Sequence, residues 1–274
     1  MKNLIKFSSL AIATLLMSCG GGDDNPSTGG TTNPSTPIAG KFQKNVLIED
    51  YTGTWCQYCP RVAYGIQLVE AANIKAFPVA IHRGGGSAYD PFNYNAAALE
   101  NYINLTGYPT AMLNRKTTWN NETNVTEVRN QYSPNCDLGL ALSSTVTGGN
   151  INLDVKVKFD ANYTGLKLVV YVLEDNLHYN QVNSTSYFGG ANPIVNMEHD
   201  HVLRQCLTDL VNGNALTGTN DGATVTTNFT LPVPTNIANA NNMSFVAFVI
   251  DANGKAINVR GALPNVNQTF EENQ

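Results

Sequence analysis

Two cysteines, Cys56 and Cys59, stand three apart in Trp55-Cys56-Gln57-Tyr58-Cys59-Pro60. A thiolate is the species that attacks a disulfide, and a second thiol one helical turn away can reach back and resolve the mixed disulfide. The apolar positions Val62, Ile66 and Val69 follow at helical spacing. The pair is therefore expected at a helix N-terminus, where free N–H groups and the helix dipole favour negative charge. There the Cys56 pKa would fall from about 8.5 to about 7 or below. Pro60 fits the first helical turn, where a missing N–H costs least. A plain structural disulfide uses the same spacing. So does half a zinc site, but no second Cys-x-x-Cys or close His pair completes one.

The elements that must position the pair are legible on both sides. Val46-Leu47-Ile48 is a compact apolar run, and Thr52-Gly53-Thr54 is a turn. Ile74 to Ile81 predicts a buried strand, Gly84 to Gly86 a loop that either borders a substrate groove or is a plain surface turn, and Ala96 to Ile103 a second helix. Tyr108-Pro109-Thr110 leads into the strand Ala111-Met112-Leu113, and Val125 to Tyr132 predicts a short closing helix. Alternating strands and helices over 41–135 predict an α/β domain.

This arrangement of strand, Trp-Cys-x-x-Cys, helix and a later strand opened by a proline resembles the thioredoxin superfamily. The resemblance implies that Cys56 attacks and Cys59 resolves. It implies that Asp50 is a buried acid taking the proton of the second cysteine, its pKa raised by desolvation. Glu49 is adjacent and competes for that role. It further implies a cis bond before Pro109, with Trp55, Tyr108 and Pro109 forming the substrate-binding surface. Trp55 can alternatively serve as a lid over the core.

The N-terminus predicts export. Lys2 and Lys6 precede an apolar stretch from Phe7 to Met17, and Leu16-Met17-Ser18-Cys19 resembles the bacterial lipobox. Residues 1–18 read as a signal peptide, Cys19 as the lipidated residue and 19–40, rich in Gly, Ser, Thr, Asn and Pro, as a flexible tether. Asp23 and Asp24 are similar to the acidic export signal of surface-exposed Bacteroidetes lipoproteins. The expected location is the cell envelope, with a lipid anchor in the outer membrane on its periplasmic or surface face. Disulfides persist there.

From Cys136 the pattern changes. Ile151, Leu153, Val155, Val157 and Phe159 alternate with polar residues. Further strands are expected at 166–173, 201–207, 225–231, 245–250 and 256–259, with a hairpin turn at Asp251-Ala252-Asn253-Gly254. The fold class is therefore an α/β thioredoxin-like domain followed by an all-β sandwich at 136–265, with a polar tail at 266–274. Cys136 and Cys206 are expected to form a structural disulfide, worth up to roughly 4 kcal/mol, or to be two buried thiols. Glu198-His199-Asp200-His201 raises a metal hypothesis against the plainer reading of a polar loop; His82 and His178 are isolated.

The order of the two parts resembles the twenty-eight-kilodalton outer-membrane-protein family of Bacteroidetes lipoproteins. The supporting segments are Trp55 to Arg61, Tyr171-Val172-Leu173-Glu174-Asp175 and Glu198 to Arg204. The formal net charge of −5 and the lack of a basic stripe argue against nucleic acid. The sequence thus predicts a membrane-tethered thiol–disulfide oxidoreductase acting on protein thiols or disulfides in the cell envelope, with no cofactor and no metal. The alternative is a surface binding lipoprotein in which the Cys pair is redox-inert.

Overall fold

The structure, a computed structural model, describes residues 36–84 and 87–274. The signal peptide, Cys19 and the tether up to residue 35 lie outside the described residues, as do Gly85 and Gly86.

In chain order the elements are β1 (Phe42–Lys44), β2 (Val46–Thr52), α1 (Pro60–Ala71), β3 (Ala76–His82), α2 (Ala97–Tyr102), β4 (Thr110–Leu113), β5 (Thr117–Thr118) and α3 (Val125–Arg129). There follow β6 (Ser133–Cys136), β7 (Leu138–Thr147), β8 (Asn150–Phe159), β9 (Lys167–Glu174), β10 (Leu177–Gln181), β11 (Ile194–His199) and β12 (Val202–Cys206). The last are β13 (Asn214–Ala215), β14 (Thr224–Pro232), β15 (Met243–Ile250) and β16 (Ala256–Ala262).

One sheet runs through both halves of the chain. Its strand order is β16-β15-β9-β12-β3-β2-β4-β5, with β13 paired to β9. β2 is parallel to β3 and antiparallel to β4, and β12 joins β3 in parallel at Val202 and Ala80. The expected boundary at 135/136 is therefore not a break between sheets. The strands after 136 do not close on themselves as a separate sandwich: β9, β12, β15 and β16 complete the sheet begun by β2 to β5. The physical reason is that β3 would otherwise leave an unpaired edge with buried backbone groups. The described residues behave as one compact unit.

Period-two alternation sorts the two faces of this sheet. Leu47, Tyr51, Val169, Tyr171, Leu173, Val246 and Phe248 share one core with Leu99 of α2. On the opposite face Val46 and Ile48 pack under α1 against Val62, Ile66, Val69 and Trp119. Further along that face Leu168, Val170, Val172, Phe245 and Ala247 pack against Leu140, Leu153 and Val155 of a three-stranded sheet, β14-β8-β7.

The ends are pinned. Asp251 and Gly254 close the β15–β16 turn as expected, with the Gly254 N–H 3.0 Å from the Asp251 carbonyl and a positive φ at Gly254. The 266–274 segment is not free: Gln43 N–H donates to Glu271 O, and Asn273 N–H to Lys41 O.

Candidate functional site

Helix α1 starts at Pro60, with Cys59 as its cap. The expectation placed Cys56 at the helix start; it lies one turn earlier. Arg61 N–H donates to Tyr58 O, and Val62 N–H to Cys59 O. These carbonyls take up two N–H groups of the helix N-terminus that would otherwise lack partners. Cys56 and Cys59 are joined in a disulfide and are 4% and 2% exposed.

Alternation along β2 decides between the two acids. Glu49 points with Leu47 and Tyr51 to the α2 side. There it receives Arg115 Nη2 at 3.1 Å and the Tyr171 hydroxyl at 2.9 Å, all fully buried. Asp50 points with Val46 and Ile48 to the α1 side. It is 3% exposed, and its Oδ1 has no partner within the protein. Burial, then the nearby Glu122 carboxylate, push the Asp50 carboxyl well above the usual range, against a smaller opposing pull from Arg61. Asp50 and Cys59 line one cavity of about 70 Å³ beneath the disulfide.

The other wall of this cavity comes from the second half of the chain. His199, His201, Gln181 and Met197 line it, facing His82 at the end of β3. The parallel pairing of β12 to β3 brings them there, reinforced by Ala80 N–H donating to His201 O at 2.8 Å. His82 Nδ1 lies 3.0 Å from Asp90 Oδ2, which also accepts the Thr54 N–H. Burial pushes Asp90 up, but His82 and the N–H groups of Thr54 and Phe92 outweigh it and leave its carboxyl below the ordinary value. Burial, with His82 close by, lowers His199 to about 4. The His199 Nε2 has no partner within the protein.

The outer side of the pair is aromatic. Trp55 is 36% exposed, donates from Nε1 to Arg83 O at 2.6 Å and meets Tyr108 edge-on at 5.5 Å. Gly53 permits this: a Cβ there would sit 2.6 Å from the indole nitrogen. The Tyr108 hydroxyl donates to Glu100, itself 2.7 Å from Arg83 Nε. Burial, then Glu100, push Tyr108 up to about 12. The Tyr108–Pro109 bond is cis.

A strap from residues 181–188 holds the Cys turn. Gln181 Nε2 donates to Gly53 O and Cys56 O, Val182 N–H to Thr54 O, and Ser184 N–H to Gln57 O. Tyr187 stacks on Tyr64 of α1 at 4.6 Å.

Cys136 and Cys206 are unpaired, so the expected disulfide does not form. Cys136 belongs to the core shared with the three-stranded sheet, whereas Cys206 packs against the core on the other face of the large sheet. The sheet itself separates the two sulfurs. Among the described residues no group of three or more His, Cys, Asp or Glu side chains is arranged to hold a metal. His201 instead bonds Glu70 at 2.9 Å, while His199 turns inward onto His82.

Residues 96–268, more than half of the chain, match the family described as outer membrane protein Omp28. The chain belongs to the Omp28 family. The matched region contains Tyr171–Asp175 and Glu198–Arg204 but begins after the Cys pair, so family membership bears on the strap and histidines more than on the disulfide. A comparison with curated proteins gave no match. Among solved structures, HBP35 of Porphyromonas gingivalis is similar with a TM-score of 0.64 at 20% identity, over 86% of this chain and 80% of that one. That likeness is one of fold. A beta-glucosidase from Kluyveromyces marxianus in complex with glucose reaches a TM-score of only 0.20, at 14% identity over 50% of this chain and 15% of that one, and carries no argument.

Sequence reasoning missed Gln181, Asp90 and the part His82 and His199 play in the site. The Glu198 to His201 run was the one signal, and it reads as a polar loop with a metal hypothesis beside it because nothing local shows that β12 lies beside β3.

Proposed function

We propose that this Omp28-family chain is a lipid-anchored thiol–disulfide oxidoreductase of the cell envelope, with a thioredoxin-like module at its redox end. One observation carries the reading. A buried, partnerless carboxylic acid on β2 shares a cavity with the second cysteine of a Cys-x-x-Cys pair. A carboxylate whose proton affinity is raised by burial is a poised proton acceptor. Cys56 attacks a substrate disulfide, and one substrate thiolate leaves. Cys59 then gives its proton to Asp50 and attacks Cys56 Sγ, forming the intramolecular bond and releasing the second substrate thiolate. Trp55, Tyr108 and Pro109 offer the docking surface. Cys19 is the anchor and protein thiols or disulfides are the partners.

A second reading has its own support. Cys56 is only 4% exposed beneath the strap. That shelter suits a structural disulfide in a non-catalytic binding lipoprotein. The reduction potential of the pair and insulin-disulfide reduction, with Cys56→Ser as control, separate the two. Catalysis predicts a potential above about −300 mV and Cys56-dependent turnover; a lower potential without turnover would establish the structural reading.

A further inference from the structure

The cavity under the disulfide holds more than the proposed chemistry uses. It runs from a buried end at Asp50, Cys59, His82 and His199 to an exposed mouth at Gln67, Glu70, Glu198 and Asp200. Two buried polar atoms of its lining residues lack partners within the protein, Asp50 Oδ1 and His199 Nε2. Buried polar groups in native proteins are bonded to protein or to ordered water. The volume of about 70 Å³ exceeds the roughly 10–15 Å³ that one water requires.

We propose that this cavity is the proton exit of the Cys59 step, with His199 as a positioning residue whose Nε2 accepts a hydrogen bond from the water that takes the proton from Asp50. The inference rests on the redox reading above and adds a route to it. In the step, Cys59 Sγ loses its proton to the Asp50 carboxylate as the Cys59–Cys56 bond forms and the mixed disulfide breaks. The leaving thiolate carries the electron pair away. Asp50 must then shed that proton before the next turnover, and His199 lines the cavity that connects it to the exposed residues at the mouth.

The surroundings fit a neutral, accepting His199. Its ring is engaged with the Tyr179 backbone on one side, and burial disfavours its cation. Its titratable neighbours are His82 with Asp90 behind it, and His178 on β10. Facing Asp50 are Cys59, Glu122 and Arg61. At the mouth His201 bridges Glu70 of α1 and Asp175 at 2.9 and 3.4 Å, so an imidazole and two carboxyl groups meet the emerging proton.

The test uses the full mature chain, reduced and then mixed with the aromatic disulfide 5,5′-dithiobis(2-nitrobenzoate). Cys56 attack releases one coloured thiolate and Cys59 resolution a second, so the two steps are read separately across pH. His199→Gln and His199→Phe are expected to leave the first phase unchanged. Both should slow the second about tenfold near pH 7 and shift its pH profile, as Asp50→Asn does. A second phase equal to wild type in both histidine variants, with Asp50→Asn slowed, overturns the exit while the redox reading stands. A wild-type protein with no Cys59-dependent second phase overturns both. Should neither histidine variant fold, the ring-nitrogen shifts of His199 in the reduced wild-type protein decide the matter. The proposal requires an unprotonated Nε2 that responds to Asp50 ionisation, and a protonated Nε2 overturns it.

Discussion

Gln181 Nε2 donates to the carbonyl of Cys56 at 2.9 Å, across 125 residues of chain. The same nitrogen bonds Gly53 O and Val182 O, and the side chain is 3% exposed. Gln181 thus adds a second hydrogen bond to carbonyls the Cys turn already uses once, Gly53 O accepting from Cys56 N–H and Cys56 O from Cys59 N–H. Gln181→Leu removes these bonds while the backbone bonds of the turn remain, which should cost about 0.5–1.5 kcal/mol in urea unfolding. It should also loosen the strap, so that Cys56 of the reduced protein is alkylated several-fold faster. An unchanged rate with lowered stability would mean that the bond supports the fold without governing access.

Trp55 reports on the outer surface in the same way. Gly53→Ala brings a Cβ 2.6 Å from the indole nitrogen and 3.0 Å from Arg83 O, the two ends of one hydrogen bond. The bond must open and the indole move. Trp55 fluorescence should shift, measured in a Trp119→Phe background, with about 1–2 kcal/mol lost. An unmoved emission maximum would show that the turn can yield instead.

Glu49 and Arg115 form a fully buried pair in the core on the α2 side, with Arg115 also donating to Leu210 O and Val211 O. Arg115→Met strands the Glu49 charge and should cost about 3–5 kcal/mol by chemical denaturation. The double variant Glu49→Leu with Arg115→Met should recover most of it, because both charges then leave together. A double variant as unstable as the single would place the cost in packing against Phe248, over which the guanidinium lies at 4.9 Å.

These pairs mark where sequence legibility ended. β2, α1, β3 and the Tyr108–Pro109 turn were visible because each is signalled locally, by an apolar run, a helical repeat or a proline. The choice between Glu49 and Asp50 was undecided on the residues, yet it follows from which face of β2 packs under α1. Gln181 and His199 were invisible as site residues because their positions depend on β12 pairing with β3, a long-range contact with no local signature. The Cys136–Cys206 pairing failed for the same reason. Both cysteines fall on strands, but the sheet order puts them on opposite faces.

That separation has a direct chemical consequence. In Cys19→Ser protein denatured without reductant, two thiols should react with iodoacetamide, Cys136 and Cys206. Four should react after reduction. In the native protein both should label slowly, since burial raises each thiol pKa. No labelling before reduction would mean that the two are bonded in solution and that the sheet order is wrong there.

His199 also makes the fold acid-sensitive. Its imidazole titrates near 6.5 when unfolded and is lowered to about 4 in the folded protein by burial and by His82. The folded state therefore binds fewer protons in this window. The contribution to stability is complete above pH 6.5 and is lost as pH falls towards 4. At pH 4.5 the loss is about 2–3 kcal/mol, an order-of-magnitude figure from that shift. Asp50 runs the other way: its folded pKa is raised, so its contribution is present at low pH and is lost as pH rises. The two slopes oppose each other in wild type, and a single acid titration would hide both. The difference in unfolding free energy between wild type and His199→Gln isolates the first. It should fall by about 2–3 kcal/mol between pH 7 and pH 4.5, while the corresponding difference for Asp50→Asn moves in the opposite direction. A His199→Gln difference that is flat with pH would mean that the ring is solvated and free to protonate in the folded protein.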